Sequence, residues 1–212
     1  MGRAPLTFRR LSGLDRSGPP PPETQAGAPL RPWTIPNAIG FLRGGLIVVF
    51  LVLALSSDDG TDALPVVLFA LVAWGDYADG IAARVTGQYS RLGALMDPLI
   101  DRLVVVSGVI VAWKFELLPR WALAVLIARE LVMVLLVAGG LRLGLDLHIN
   151  WMGRLAVWPT MGAFGTALFG WNGIDEVLLY VGLAGSIAAS VQYVWDAVRE
   201  LRARSGRPQP AR

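Results

Sequence analysis

The sequence predicts an all-α, polytopic integral membrane protein of six transmembrane helices with both termini cytoplasmic. Three observations carry that prediction. The 212 residues are 54% hydrophobic and only 17% charged, with a mean hydropathy of +0.54, where soluble domains run near ~25% charged. The apolar residues gather into six stretches, each near the ~20 residues that cross the hydrocarbon as a helix. The basic residues gather at the ends: Arg3, Arg9, Arg10, Arg16 and Arg31 before the apolar region, and Arg199, Arg202, Arg204, Arg207 and Arg212 after it. Arginine flanking a membrane core marks the cytoplasmic side and suits anionic headgroups. It is a poorer fit to a nucleic-acid footprint, which needs a basic face on the folded domain, so no nucleic-acid partner is expected. The chain has no cysteine and a single histidine, His148, in a polar link. Disulfides, thiol nucleophiles, Cys or poly-His zinc sites and a Ser-His-Asp triad are therefore not expected.

Residues 1–33 read as a disordered Pro/Arg-rich tail, with Pro19, Pro20, Pro21 and Pro22 in a row and too little apolar surface to offset chain entropy. No apolar run follows the first arginines, so the tail does not read as a signal peptide. A membrane domain is predicted over 34–198, and a basic tail over 199–212. The six spans are expected near 38–55, 63–84, 92–113, 121–139, 151–169 and 177–195. Loop charge sets their direction. The Asp58-Asp59 and Asp175-Glu176 links face outside, and those with Arg84, Arg91 and Arg142 face the cytoplasm. The Lys114 and Arg120 link dissents. The eight tryptophans read as interfacial anchors. Gly139, Gly140, Gly162 and Gly165 read as sites of close helix approach.

Four aspartates sit where lipid-facing helices should be apolar. A charge at the bilayer centre costs roughly 2.5–3.5 kcal/mol on insertion scales, which makes such residues candidates for function. Asp76, Asp79, Gly80, Ala83 and Arg84 fall at i, i+3, i+4, i+7 and i+8, on one helical face. Gly93, Asp97 and Asp101 fall at i, i+4 and i+8 on the next helix. A short link joins the two, so they pack antiparallel and their carboxylates converge. Carboxylates at close range repel, and a divalent cation relieves this. Oxygen-only ligands suit Mg²⁺, Mn²⁺ or Ca²⁺. Gly80 and Ala83 leave room for a ligand, and Arg84 suits phosphate. Such a set describes a phosphate-handling site.

The string Asp76-x2-Asp79-Gly80-x2-Ala83-Arg84-x8-Gly93-x3-Asp97-x3-Asp101 resembles the full signature of the CDP-alcohol phosphatidyltransferases. The likeness extends over about 34–195. Thr34-Ile35-Pro36-Asn37 with Arg43 is similar to the start of that family's first helix. The run from Tyr89 to Pro98, with Asp101-Arg102, resembles the branch that makes phosphatidylglycerophosphate or cardiolipin. The resemblance implies a six-helix enzyme, a homodimer, in a prokaryotic plasma membrane with its site facing the cytoplasm. It implies transfer of the phosphatidyl group of CDP-diacylglycerol to an alcohol, with release of CMP. The expected acceptor is glycerol 3-phosphate. The alternative is phosphatidylglycerol, giving cardiolipin, and inositol phosphate fits less well. By the same resemblance Asp76, Asp79, Asp97 and Asp101 hold Mg²⁺ or Mn²⁺. Asp79, Gly80, Ala83, Arg84 and Gly93 frame the donor, and Asp101 is the general base. Arg129 and Arg154, near or within later spans, are candidates for the acceptor phosphate. Arg129 and the adjacent Glu130 equally suit ion pairs to neighbouring helices. A cation- or proton-coupled transporter is the remaining class, but it calls for midplane carboxylates and repeated halves.

Overall fold

A computed structural model of the chain describes residues 22–25, 27–142, 151–171 and 173–205. Most of the expected N-terminal tail, His148 and the end of the C-terminal tail lie outside the described residues, as do the side chains of Arg142 and Arg154. Among the described residues there are six α-helices, one short 3₁₀ turn at Pro22–Thr24, and no strand. The helices are α1 Ile35–Ser56, α2 Ala63–Thr86, α3 Arg91–Lys114, α4 Arg120–Arg142, α5 Trp151–Leu168 and α6 Ile174–Ser205. The all-helical, multi-pass prediction holds. Four helices, α1, α2, α4 and α6, are long and apolar enough to cross a membrane by length and composition. The other two predicted spans are also helical, but α3 carries Asp97, Asp101 and Arg102 among its 24 residues. In α5 the described apolar part is the shorter stretch Leu155–Leu168.

Large apolar side chains point outward along these helices, among them Val48, Val52, Trp74, Leu135, Trp158 and Trp195. Water would not tolerate so much apolar surface; lipid does.

The chain forms two compact units, one ending at Val111 and the next beginning at Ala112. In the first unit, α1 begins where Thr34 caps it. The Thr34 hydroxyl accepts from the Asn37 backbone N–H at 3.3 Å, and Pro36 sits in the first turn, where a missing N–H costs nothing. This cap starts the helix three residues before its apolar run. Phe50 packs on Phe69 with ring centroids 5.3 Å apart, at the heart of a core with Ile47, Ala54, Val66 and Val72. Gly87, at φ 62°, ends α2 in the left-handed conformation that glycine adopts most readily.

In the second unit α5 and α6 approach closely through small residues. Gly182 lies against Thr160, and Gly185 against Ala156; in lipid such close packing takes over from a hydrophobic driving force. Trp121 of α4 stacks on Tyr180 of α6 at 5.6 Å. The Asp175 carboxylate accepts from the backbone N–H groups of Gly173 and Glu176 at 2.8 and 2.9 Å, which fixes the start of α6. That helix runs ten residues past the predicted span end at 195, because Ala, Arg, Glu and Leu continue it.

Candidate active site

The first unit contains all four aspartates. Their positions follow from helix geometry. Asp76 and Asp79 project from one face of α2, and Asp97 and Asp101 stand one turn apart on α3. Between them lies a side chain from α1. Arg43 is 2% exposed and donates from Nη1 to Asp79 Oδ2 at 2.7 Å and to Asp76 Oδ1 at 3.3 Å. Its Nη2 donates to Asp101 Oδ1 at 3.3 Å, and its Nε to the Val72 carbonyl at 3.2 Å. The convergence of the two aspartate segments is therefore observed, and a guanidinium sits at its centre. Asp79 is buried. The side chains of Asp76 and Asp101 are each 53% exposed, so both keep a face toward an incoming molecule. Asp97 is exposed and close enough to Asp76, Asp79 and Arg43 to feel their charges.

The remaining signature residues have distinct surroundings. Arg84 folds back over Gly80: a Cβ there would lie 3.3 Å from Arg84 Nη2 and 3.4 Å from Nη1. The guanidinium thus lies beside the aspartates' own helix face, where a phosphate could meet it. Ala83 is half-buried on the same face. Gly93 serves packing. A Cβ there would fall 2.7 Å from Asn37 Oδ1 and 3.2 Å from Ser90 Oγ. Asn37, fully buried, accepts from the Ser90 hydroxyl at 2.9 Å and donates to the carbonyls of Arg31 and Pro32. Ser90 Oγ in turn accepts from the Gly93 N–H at 2.9 Å, the geometry of a helix cap. The Gln88 side chain accepts from the Ile35 N–H, and the Leu92 N–H donates to Leu30. The start of α1 and the α2–α3 link are thus bound together beside the site.

Gly80 yields a direct prediction. The atoms in the way of a new Cβ are the far end of a flexible side chain, so Gly80→Ala should fold normally and displace Arg84. The expected result is a KM for the phosphate-bearing donor raised by roughly 3- to 10-fold with kcat little changed, the pattern of lost ground-state binding. Steady-state kinetics with varied donor would check it.

A hard divalent cation suits this donor set. The ligands are oxygen alone, and three carboxylates facing one guanidinium leave negative charge in excess within a membrane helix bundle. Among the described residues, however, no cluster of three acidic, His or Cys side chains stands ready around a common metal position; Arg43 takes that central place.

In the second unit, Arg129 donates from Nε to Ser190 Oγ at 2.8 Å and to the Ser186 carbonyl at 3.2 Å, and pairs with Glu130 through Nη1. Of its two predicted readings, the structure shows the helix-tying one. Arg154 lies in the first turn of α5, with its side chain outside the described residues.

The sequence reading did not place Arg43 in the site and noted it with Thr34-Ile35-Pro36-Asn37 as part of the likeness to the family's first helix. The signal was present, since a lone arginine in an apolar helix must find acidic partners. Asn37 and Ser90 carried no comparable signal, because their partners lie 53 positions apart.

The sequence model of the CDP-alcohol phosphatidyltransferase family matches residues 33–188. A Mycobacterium tuberculosis protein named "Putative cardiolipin synthase" is 35% identical over 175 residues, 78% of this chain and 79% of the relative. A Streptomyces coelicolor protein named cardiolipin synthase (CMP-forming) is 33% identical over 174 residues, 78% and 80% of the two chains. A Bacillus subtilis protein named CDP-diacylglycerol–glycerol-3-phosphate 3-phosphatidyltransferase is 29% identical over 153 residues, 64% and 77% of the two.

Proposed function

The chain belongs to the CDP-alcohol phosphatidyltransferase family, and from that premise we propose that it transfers the phosphatidyl group of CDP-diacylglycerol to an alcohol acceptor and releases CMP. The observation that carries this reading is the convergence of Asp76, Asp79 and Asp101 on one buried cationic centre, with Arg84 beside it over Gly80. Asp101 takes the proton of the acceptor hydroxyl as its oxygen attacks the phosphorus that carries diacylglycerol. The bond from that phosphorus to the bridging oxygen breaks, and CMP leaves with the electron pair. Asp101 suits the base role because its carboxylate is half-exposed and so within reach of an incoming alcohol. Arg84, Gly80 and Ala83 frame the CDP group. Asp76, Asp79, Asp97 and Asp101 would hold Mg²⁺ or Mn²⁺, which supplies positive charge to the diphosphate. Assembly as a homodimer and a site open to the cytoplasmic leaflet belong to the same reading.

For the acceptor, two candidates remain in view. Both present a primary hydroxyl on a glycerol phosphate unit. The relatives at 35% and 33% identity carry cardiolipin synthase names, against 29% for the glycerol-3-phosphate enzyme. Arg129, a candidate cation for a soluble dianion, is already held by Glu130, Ser186 and Ser190. These two observations favour phosphatidylglycerol. Glycerol 3-phosphate is the second reading, supported by the sequence around Asp97 and by the Bacillus subtilis relative. Incubating purified protein with CDP-diacylglycerol, a divalent cation and each acceptor separately, then resolving the lipids, decides between them. Cardiolipin formation is the expected result. Phosphatidylglycerophosphate alone would transfer the assignment to glycerol 3-phosphate.

A further inference from the structure

Arg43 stands in a berth built for it. It is the ninth residue of α1, about 12 Å along the helix from Ile35 at 1.5 Å per residue, inside an otherwise apolar stretch. Its partners on α2 lie at Val72, Asp76 and Asp79, one continuous face. Gly75 sits on that face too. A Cβ at Gly75 would lie 2.8 Å from Arg43 Cδ, 2.9 Å from Cγ and 3.1 Å from Nε, so only glycine lets the arginine stem pass. With the Val72 carbonyl on Nε and three carboxylates on the two terminal nitrogens, four of the guanidinium's five N–H donors are engaged. The stem slot and the forked bonds together fix its position, which a mobile lysine would not achieve.

Those bonds use oxygens of the aspartates assigned to the divalent cation. A guanidinium and a metal ion cannot both claim them at full strength. We propose that Arg43 is a positioning residue, a tethered counter-cation that holds Asp76, Asp79 and Asp101 convergent when no metal is bound and competes with the metal for them. This inference rests on the reading that the aspartates bind a divalent cation. It has two consequences. Without Arg43, the carboxylates repel across the α1–α2–α3 contact, and the metal-free protein loses stability. They also become freer to take a cation, so metal affinity rises. A plain structural tie shares the first consequence and not the second.

The test is Mn²⁺ binding by detergent-solubilised full-length protein without substrate, read from the EPR signal of free Mn²⁺, together with thermal unfolding followed by tryptophan fluorescence. Relative to wild type, Arg43→Gln is expected to bind Mn²⁺ about tenfold more tightly, a coupling of ordinary size between two sites. Its Tm without metal should fall by about 5 °C and return toward the wild-type value at saturating Mn²⁺. Arg43→Lys keeps the charge and should lie between the two. Gly75→Ala leaves Arg43 in the sequence but pushes its stem, and should shift Mn²⁺ affinity in the same direction as Arg43→Gln. If Arg43→Gln does not fold, Arg43→Lys and Gly75→Ala decide. Unchanged or weaker Mn²⁺ binding in the folded variants, with wild type binding normally, overturns the competition. Absence of Mn²⁺ binding in wild type and every variant overturns the metal reading itself.

Discussion

Asp101→Asn is expected to lower turnover by about 1,000-fold, within the range that a general base contributes. The substitution keeps the shape of the side chain and one oxygen able to accept from Arg43 Nη2, now at 3.3 Å. It removes the basicity needed to take a proton from the acceptor. Because the side chain is half-exposed, little packing is lost, and the unfolding temperature should stay near that of wild type. Single-turnover release of CMP, measured beside thermal unfolding, separates the two effects. Raising the Mn²⁺ concentration should not restore the rate, since the missing group is the base. Turnover within tenfold of wild type would remove Asp101 from that role.

The second large effect concerns stability. Gly182→Ala is expected to cost about 2–3 kcal/mol, in the upper part of the range for overpacking. A Cβ at Gly182 would lie 2.8 Å from the backbone nitrogen of Thr160 and 3.1 Å from its Cα. Backbone cannot swing aside as a side chain can, so α5 and α6 must separate along their whole small-residue contact. Gly165, in α5, has nothing beyond its own stretch of helix within 4 Å of where a Cβ would stand. Gly165→Ala is thus the internal control, and it should be neutral or stabilising by up to about 1 kcal/mol through helix propensity. Thermal unfolding in one detergent would compare the pair. Equal Tm values for the two variants would contradict the packing described for α5 and α6.

The helices were legible because each announces itself by apolar length and by the residues that interrupt it. The short link between the two aspartate segments marked the end of α2, and the Asp58-Asp59 link the turn after α1. The start of α1 was read three residues late because its first turn is polar and depends on the Thr34 cap. The far end of α6 was missed because helix propensity, rather than hydropathy, carries it past the membrane portion. Of the candidate site, spacing alone placed Asp76, Asp79 and Asp101 on converging faces. It could not identify what lies between them, because Arg43 comes from α1, more than thirty positions away. Gly93 was read as part of the donor frame, yet its missing side chain makes room for Asn37. A glycine kept free for a ligand and one kept free for a neighbouring helix look alike in sequence. Arg129 shows the same ambiguity, and its hydrogen bonds to Ser186 and Ser190 favour the structural side.

The transporter class required carboxylates near the midplane and repeated halves. The acidic cluster lies in the first unit, on the second half of α2 and the first half of α3, and the family match covers both units. The measurement that bears most directly on the account is CMP release from CDP-diacylglycerol by purified protein with Mn²⁺ or Mg²⁺, with and without phosphatidylglycerol or glycerol 3-phosphate as acceptor. The account predicts CMP release that depends on both acceptor and divalent cation and that disappears in Asp101→Asn. Folded wild-type protein that releases no CMP with phosphatidylglycerol or glycerol 3-phosphate under either metal would contradict it.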